Sequence, residues 1–396
     1  YRAFPLRSIF TLNWLLLAER EHALNRPDQT YFSSPDIAAF DAATRSIYPV
    51  GPFTALGACI AAPLRFGGRF FSALGEALTG PRETFRNRLV GLWHLVLACH
   101  WAAGLRGERV SHIHSQWIHS AGTVAMYGAW LIGASFSFTG HAADLFRNRQ
   151  ALATKIARAK FIVCISEFHR DFFLKNGARP EQLFVVYCGI DTTHFTPRRR
   201  PRDRSRPYHI LSSGRLVEKK GFADLIRACA ILRDRGVDFR CTIAGSGPDE
   251  ATLRVQIREA GLGDLVTMTS EALKQEDIPA FMETGDVYTL PCIWASDDDV
   301  DGLPQMLMEA MACGLPAIST RLVGIPDLIR DGETGLLVAP GDPGALADAL
   351  MRLEADDGLA DRLAKAGYGH LVDKFDLHRC LDPLLARFRA RLEDSK

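Results

Sequence analysis

Regular alternation of strand-like and helix-like segments in the second half of the chain constrains the fold most. Short apolar runs are separated by stretches long enough for a helix. These runs are residues 209–213, 239–244, 265–269, 287–290, 317–320 and 336–339. Parallel strands need crossover connections of about a dozen residues, which are usually helical. The pattern therefore predicts an α/β domain with a doubly wound parallel sheet.

The first half of the chain repeats this alternation less regularly. Strand-like runs occur at residues 110–117, 136–139, 161–165 and 183–187. Residues 120–140 carry no charge over 21 positions, close to the roughly 20 needed to span a bilayer. Frequent Gly, Ser and Thr, and a period of two near the end, favour a buried helix followed by a central strand.

An arginine-rich segment, residues 198–207, separates the two halves and contains six arginines. Such a charge run is typical of a solvated linker. We therefore predict a first domain at residues 1–197 and a second at 208–375. Residues 376–396 read as an amphipathic helix.

The stretch from Asp297 to Thr320 suggests the chemistry. A Gly302-Leu303-Pro304 turn leads into an apolar helix that Gly314 ends, and Pro304 suits the first helical turn. Free backbone N–H groups at the positive end of a helix suit a phosphate. Asp301 lies on the turn, and Glu309 lies more than one turn into the helix, where a carboxylate can accept two hydrogen bonds from a vicinal diol. Phosphate, diol and a further hydroxylated group together describe a nucleotide sugar.

The same stretch resembles the segment of family 4 retaining glycosyltransferases in which two acidic residues are separated by seven others. The resemblance is closest to the exopolysaccharide branch, including the colanic acid enzymes. It implies the GT-B fold, with two Rossmann-like domains that face a cleft, the acceptor on the first and the donor on the second. It also implies that the last helix returns to the first domain. The first acid of the family is Glu, whereas this chain has Asp301, one methylene shorter.

Two glycine-rich segments of the second domain carry the resemblance further. Residues 214–221, Gly-Arg-Leu-Val-Glu-Lys-Lys-Gly, match a family motif in which Arg215 and Lys220 would reach the donor diphosphate. Lys219 is expected to be a solvated neighbour. The turn that contains Gly245 and Gly247 is weak evidence alone, and in the family it lies near the nucleotide.

A histidine in the first half also matches the family. Residues 137–144, Ser-Phe-Thr-Gly-His-Ala-Ala-Asp, place Gly140 and His141 at the carboxyl end of a predicted strand, where open α/β sheets hold ligands. An isolated histidine is more often structural. The resemblance implies that His141 contacts the donor sugar from across the cleft.

Composition excludes several other functions. Lys plus Arg total 47 and Asp plus Glu total 46, so no overall charge indicates a nucleic acid partner. Asp297, Asp298 and Asp299 read as a solvated acidic loop, and we expect neither a metal nor a cofactor. Nine scattered cysteines and no visible signal peptide predict a cytoplasmic protein.

Basic and aromatic residues alternate between Arg65 and Trp101. Such an amphipathic surface can lie on an anionic membrane leaflet. Helices that face the core and carry solvated arginines explain the pattern equally well. A peripheral position on the inner face of the cell membrane is therefore one of two interpretations.

The resemblance implies a metal-independent, retaining hexosyltransferase. It also implies a UDP- or GDP-sugar as donor, and a glycan or a polyprenyl-diphosphate-linked saccharide in exopolysaccharide synthesis as acceptor. The alternatives are a GT-B sugar-nucleotide epimerase and a catalytically weak homologue that binds nucleotide sugars. A two-lobed solute-binding protein would not need the Arg215–Lys220 and Asp301–Glu309 pairs.

Overall fold

The computed structural model describes residues 9–12, 50–105, 108–141, 145–146, 149–197 and 202–393. The chain divides into two compact units. The first comprises Tyr1–Cys164, Arg170–Phe184 and Arg387–Lys396, and the second comprises Ile165–His169 and Val185–Ala386. Residues 185–197 thus group with the second unit, whereas the sequence pattern grouped them with the first.

A five-stranded sheet forms the centre of the first unit, in the order β1-β2-β3-β4-β5. Its strands are β1 (Ile9–Leu12), β2 (His112–Ser115), β3 (Ser135–Gly140), β4 (Ala159–Cys164) and β5 (Leu183–Val185). The pairs from β1 to β4 are parallel. The described residues of β2, β3 and β4 are nearly all buried, as expected for a sheet covered on both faces.

Helices surround this sheet. They are α1 (Pro52–Ile60), α2 (Ala62–Phe66), α3 (Gly68–Thr79), α4 (Phe85–Gly104), α5 (Ser120–Ile132), α6 (Leu152–Arg158) and α7 (Glu167–Lys175). The uncharged run predicted as a helix and a strand is α5 followed by β3, joined at Gly133 with φ 79°. None of the described helices combines the length and apolarity required to cross a membrane.

One half-buried carboxylate joins three helices of the first unit. Glu76 of α3 accepts hydrogen bonds from Arg82 at 2.8 and 2.9 Å. It also accepts from Tyr127 of α5 and Thr154 of α6, each at 2.6 Å. Burial alone would raise the pKa of Glu76, but these donors and the Arg82 charge lower it.

The second unit contains a six-stranded parallel sheet in the order β11-β10-β9-β6-β7-β8. Its strands are β6 (Tyr208–Ser213), β7 (Phe239–Ala244), β8 (Val266–Thr269), β9 (Val287–Leu290), β10 (Ala317–Thr320) and β11 (Leu336–Val338). All six predicted strands are confirmed to within a residue at each end. The strand order reverses between β6 and β9, and open α/β sheets bind ligands at the carboxyl ends flanking such a point.

Helices connect these strands. They are α8 (Phe222–Asp234), α9 (Glu250–Glu259), α10 (Ile278–Met282), α11 (Gln305–Ala312), α12 (Ile325–Leu328), α13 (Pro343–Ala355) and α14 (Asp357–Lys374). A last helix, α15, spans Leu377–Glu393. Its Phe388, grouped with the first unit, packs on His112, His114 and Phe161 at centroid distances of 5.2 to 6.2 Å.

The arginine-rich segment is more tightly held than its composition predicts. Arg202 pairs with Glu354 at 2.8 Å, and its side chain is 8% exposed. Arg206 pairs with Asp286 at 2.6 Å. The expectation of a solvated linker is therefore wrong for Arg202, whereas the Arg206 side chain stays 39% exposed. Acidic side chains distant in sequence neutralise both arginines.

Candidate functional site

A cavity of about 440 Å³ opens where the strand order of the second unit reverses. The segments that follow β6 and β9 contribute to its wall, together with the first turns of α11. Seven predicted site residues line it: Arg215, Lys220, Asp301, Gly302, Leu303, Pro304 and Glu309. The structure thus gathers, at one sheet edge, side chains up to 94 positions apart in the sequence (215 to 309).

The turn before α11 has the predicted form except at one residue. Pro304 has φ −69° and ψ 119°, so it is the N-cap residue, and the helix begins at Gln305. The prediction that Pro304 occupies the first helical turn is therefore wrong by one position, because its ψ is extended. Gln305 and Met306 follow directly and line the cavity, so the amino end of the helix faces it. Gly314, with φ 80°, ends the helix as predicted.

Two ammonium groups neutralise Asp301. Lys219 Nζ lies 3.1 Å from Asp301 Oδ1, and Lys220 Nζ forms an ion pair with Oδ2. Burial acts to raise the pKa of Asp301, but the charges of Lys220 and Lys219 overcome it and hold the pKa below its usual value. Asp301 is therefore a carboxylate at neutral pH, and Lys220 reaches it from the same cavity wall.

Lys219 is the residue that the sequence interpretation missed. It was expected to be solvated, yet its side chain is only 22% exposed and also pairs with Asp299 at 3.1 Å. Burial acts to lower the pKa of Lys219, and the charge of Asp301 and the hydrogen bond to Asp299 raise it. The Lys-Lys pair and the nearby Asp run were the available signals, but only the fold brings them together.

Glu309 is a buried carboxylate with an unused acceptor. The residue is 7% exposed, and Oε2 has no hydrogen-bond partner in the described structure. Burial raises the pKa of Glu309 to about 6. An unpaired polar atom costs free energy when buried, so a ligand that donates hydrogen bonds here would be stabilised.

Gly245 and Gly247 do not line this cavity. They allow the turn after β7 to pack against the segment after β6, where Leu216 N donates to Ser246 O at 3.0 Å. A Cβ at Gly245 would lie 2.0 Å from Gly214 O, and one at Gly247 would lie 2.4 Å from Leu216 O. Both glycines therefore shape the backbone next to Arg215, and a direct contact with the nucleotide stays a prediction.

The wall beyond Glu309 includes Gln275 and Ile278, to which the sequence analysis assigned no role. Leu273, Gln275 and Ile278 line the cavity and offer apolar surface with one amide. The family resemblance also implies that the turn at residues 270–273, which Leu273 ends, lies near the nucleotide base, and this contact stays a prediction. Gln275 lies in the short 3₁₀ helix Gln275–Asp277, and no motif in the sequence marks it.

His141 and Gly140 belong to the first unit, at the carboxyl end of β3. The His141 ring packs against Trp117 at a centroid distance of 4.2 Å with the rings tilted by 31°, and its Nε2 lies 3.3 Å from Gln116 Nε2. Burial lowers the pKa of His141 to about 4. Gly140 is buried, and a Cβ there would lie 2.6 Å from the Phe173 ring. Gly140 therefore permits close packing, and its contact with substrate stays a prediction.

The acidic loop is only partly solvated. Asp297 and Asp298 are exposed, as predicted, whereas Asp299 is held by Lys219. Within the described residues, no group of three or more His, Cys, Asp or Glu side chains has the arrangement of a metal site.

Comparison with known families divides the chain at nearly the same place as the sequence did. Residues 64–194 match the family described as Glycosyltransferase Family 4. Residues 196–370 match Glycosyl transferases group 1.

Curated relatives include two exopolysaccharide enzymes. The chain is 33% identical over 244 residues to the amylovoran biosynthesis glycosyltransferase AmsK of Erwinia amylovora, covering 60% of each chain. It is 37% identical over 203 residues to the putative colanic acid biosynthesis glycosyltransferase WcaL of Escherichia coli K12, covering 50% of each. The chain thus spans about half the length of the curated relatives that it matches.

Among solved structures, the Anabaena protein Alr3699/HepE in complex with UDP and glucose superposes with a TM-score of 0.61 at 20% identity. The match covers 88% of this chain and 98% of that protein. At this identity the likeness supports the fold alone.

Proposed function

Because the chain belongs to the family 4 glycosyltransferases of the GT-B fold, we propose that it transfers a hexosyl unit from a nucleotide-diphosphate sugar. The acceptor is a glycan or a lipid-linked saccharide in exopolysaccharide synthesis. The transfer retains the configuration at the anomeric carbon and needs no metal. The role of AmsK and WcaL in amylovoran and colanic acid synthesis supports the pathway class.

The state of Glu309 carries this proposal. Its unpartnered Oε2 and its pKa of about 6 describe a carboxylate prepared for a ligand with two adjacent hydroxyl groups. The ribose of a nucleotide is such a diol. Bound ribose would donate to the carboxylate and replace the hydration that burial removed.

The cations next to Glu309 suit a diphosphate. Lys220 and Arg215 line the same cavity as the amino end of α11, so two positive side chains and a helix end meet there. As the bond from the anomeric carbon to the phosphate oxygen lengthens, negative charge grows on the leaving diphosphate. Lys220, Arg215 and the turn at Gly302 stabilise that charge, which is the function of a metal ion in other transferases.

Retention in a single step requires that the acceptor attack from the face that the diphosphate leaves. In this mechanism the acceptor oxygen bonds to the anomeric carbon as the carbon–oxygen bond to phosphate breaks. The acceptor proton passes to an oxygen of the departing diphosphate. The products are the new glycoside and a protonated nucleoside diphosphate, and no side chain is required as a general base.

Asp301 and His141 are assigned to the hydroxyl groups of the transferred sugar. Asp301 is ionised and accepts hydrogen bonds. His141, whose pKa is about 4, is neutral at pH 7. The neutral imidazole has one N–H donor and one ring-nitrogen acceptor, and Gln116 lies beside it, with its side-chain nitrogen 3.3 Å from His141 Nε2.

We also propose that the first unit docks on an anionic membrane surface, where a lipid-linked acceptor would lie. Three of its helices expose apolar side chains at helical spacing. These are Phe53, Leu56 and Ile60 on α1, Phe71 and Leu78 on α3, and Phe85, Leu89 and Trp93 on α4. Between α1 and α3, Leu64 of α2 is 94% exposed. Of the large apolar residues exposed in the described chain, three quarters lie here, as expected of an interaction surface.

Charge identifies the occupant of this apolar face. Arg65, Arg69 and Arg86 are exposed beside the apolar residues. Only one exposed acid, Glu83, occurs among residues 50–105, because Glu76 is paired with Arg82. Exposed apolar side chains accompanied by exposed arginines fit the interface of anionic lipids better than a neutral protein surface.

The experiment that tests the function starts from donor binding. The protein is screened by thermal shift against UDP-, GDP- and ADP-sugars, and the best donor is then incubated with it in the presence and absence of extracted polyprenyl-linked saccharides. Mass spectrometry should detect a product heavier by one hexosyl unit only when an acceptor is present. An epimerised donor with no glycoside would refute transfer, and the absence of binding by every nucleotide sugar would refute the donor site.

A further inference from the structure

The segment after β6 and the segment after β9 are tied together next to the cavity. Ile293 N donates to Lys219 O at 3.0 Å. Ser296 donates through N and Oγ to Glu218 Oε2, at 3.1 and 2.7 Å. The short turn Glu218–Lys220 and the loop that leads to Asp301 therefore have fixed positions relative to each other.

Within this frame, Lys219 and Lys220 share one carboxylate. Both ammonium groups contact Asp301, and Lys219 also contacts Asp299. Lys219 does not line the cavity, whereas Lys220 does. Without a donor, the cation expected to bind the diphosphate is thus already paired with an acid.

We propose that Lys219 is a positioning residue that releases Lys220 for the donor. When a diphosphate enters, Lys220 exchanges Asp301 for a phosphate oxygen, and Lys219 stays as the counter-ion of Asp301. The inference rests on the proposed function, because it assumes that the cavity binds a nucleoside diphosphate.

The physical reason is the cost of an uncompensated buried charge. The Asp301 side chain is 13% exposed, and a carboxylate so placed is stable only beside a cation. If Lys219 were neutral, Asp301 would have Lys220 as its only partner. The diphosphate would then have to separate that pair and leave a buried anion behind, and its affinity would fall.

The test measures UDP and GDP binding by calorimetry, with the wild-type affinity as reference. Lys219→Met should raise Kd on the order of tenfold, whereas Lys219→Arg, which keeps the charge, should stay close to wild type. Lys365→Met removes an exposed lysine of α14 and serves as the matched control. Lys219→Gln replaces the methionine variant if thermal unfolding shows that the latter does not fold.

The same substitution made in an Asp301→Asn variant distinguishes this mechanism from direct electrostatic attraction between Lys219 and the phosphates. In Asp301→Asn there is no carboxylate for Lys219 to retain, so adding Lys219→Met should change Kd less than about twofold. An equal loss in both backgrounds, or no loss in either, would overturn the inference. Failure of the wild type to bind UDP, GDP or ADP would instead refute the proposed function.

Discussion

Arg206 and Asp286 form a two-pronged ion pair at the amino end of the second sheet. Arg206 donates to Asp286 Oδ1 at 2.6 Å and to Oδ2 at 2.9 Å. Asp286 Oδ2 also accepts from His209 N at 2.9 Å. Asp286 immediately precedes β9 and His209 lies in β6, so this carboxylate joins the two strands that flank the candidate site at their opposite ends.

Asp286→Ala should therefore destabilise the second unit. The Asp286 side chain is 8% exposed, and its loss leaves a backbone N–H and a guanidinium without their acceptor. Because Arg206 is 39% exposed and can be rehydrated, we expect a loss of about 2 kcal/mol in the free energy of unfolding. Urea unfolding measures it, with Asp348→Ala as control, since Asp348 and its partner Arg235 are 65% and 43% exposed. Equal effects of the two variants would contradict this role.

This ion pair is a contact between residues distant in sequence, which a local sequence pattern does not reveal. Strand positions in the second unit follow from local apolar runs, and they were predicted closely. The arginine-rich segment looks like a solvated linker because the acidic partners of Arg202 and Arg206 lie 152 and 80 positions away in the sequence. Only the folded sheet brings Asp286 and Glu354 beside these arginines.

The candidate site also contains some residues that a local motif predicts and others that only tertiary packing places. Asp301 and Glu309 share one local motif, so their spacing could be interpreted directly. The environment of Lys219 could not be predicted, since an exposed lysine and a buried one look identical in sequence, and no motif marks Gln275. The glycines at 245 and 247 were recognisable as a turn, but their close approach to the segment after β6 depends on tertiary packing.

Donor binding should weaken in mild acid because of Glu309. The pKa of Glu309 is about 6 without ligand, so the carboxyl binds a proton below that pH. A ribose diol donates to the carboxylate and favours its ionised form, and the proton must leave for binding to occur. Kd for UDP should therefore rise as pH falls from 7 to 5, by up to about tenfold per pH unit below the pKa.

Two controls isolate this effect from titration of the diphosphate itself. Glu309→Gln cannot ionise, and 2′-deoxy-UDP carries the same diphosphate without the diol. Each should show a shallower pH dependence by calorimetry than wild type with UDP. If all three combinations had the same slope, Glu309 would not contact the ribose.

Activity should depend on Lys220 and Glu309 for different reasons. Lys220→Ala removes a cation that stabilises the leaving diphosphate, so kcat should fall by about 100-fold or more. Glu309→Ala removes a contact with the ribose that is made in the ground state and in the transition state. KM should therefore rise in this variant in addition to a fall in kcat. Steady-state transfer assays measure both, with circular dichroism to verify folding. Wild-type turnover by either variant would break the assignment.

Acid should loosen the first unit through Glu76. Its pKa lies below the usual value because Arg82, Thr154 and Tyr127 outweigh burial. The stability that it contributes is present above the unfolded-state pKa and is lost as pH falls through the lower folded-state pKa. The protection factors for amide hydrogen exchange in α5, which correct for the slower intrinsic exchange in acid, should therefore fall between pH 5 and 3. In Glu76→Gln the opening free energy of α5 should already be lower at pH 7 by about 2–4 kcal/mol. The protection factors of this variant should change less than those of wild type as the pH falls.

Vesicle binding tests the apolar face of the first unit. The protein should co-sediment with vesicles that contain phosphatidylglycerol and much less with phosphatidylcholine alone. Phe53→Ser with Leu64→Ser should weaken binding to both, since these side chains are 86% and 94% exposed and would insert into the interface. Arg65→Gln with Arg69→Gln should weaken binding to the anionic vesicles only, by about 1 kcal/mol for each charge, and high salt should mimic this change.

Val255→Ser, at an exposed apolar residue of the second unit, is the matched control. If light scattering showed a dimer that Phe53→Ser dissociates, and no vesicle bound, the face would belong to a second copy of the chain.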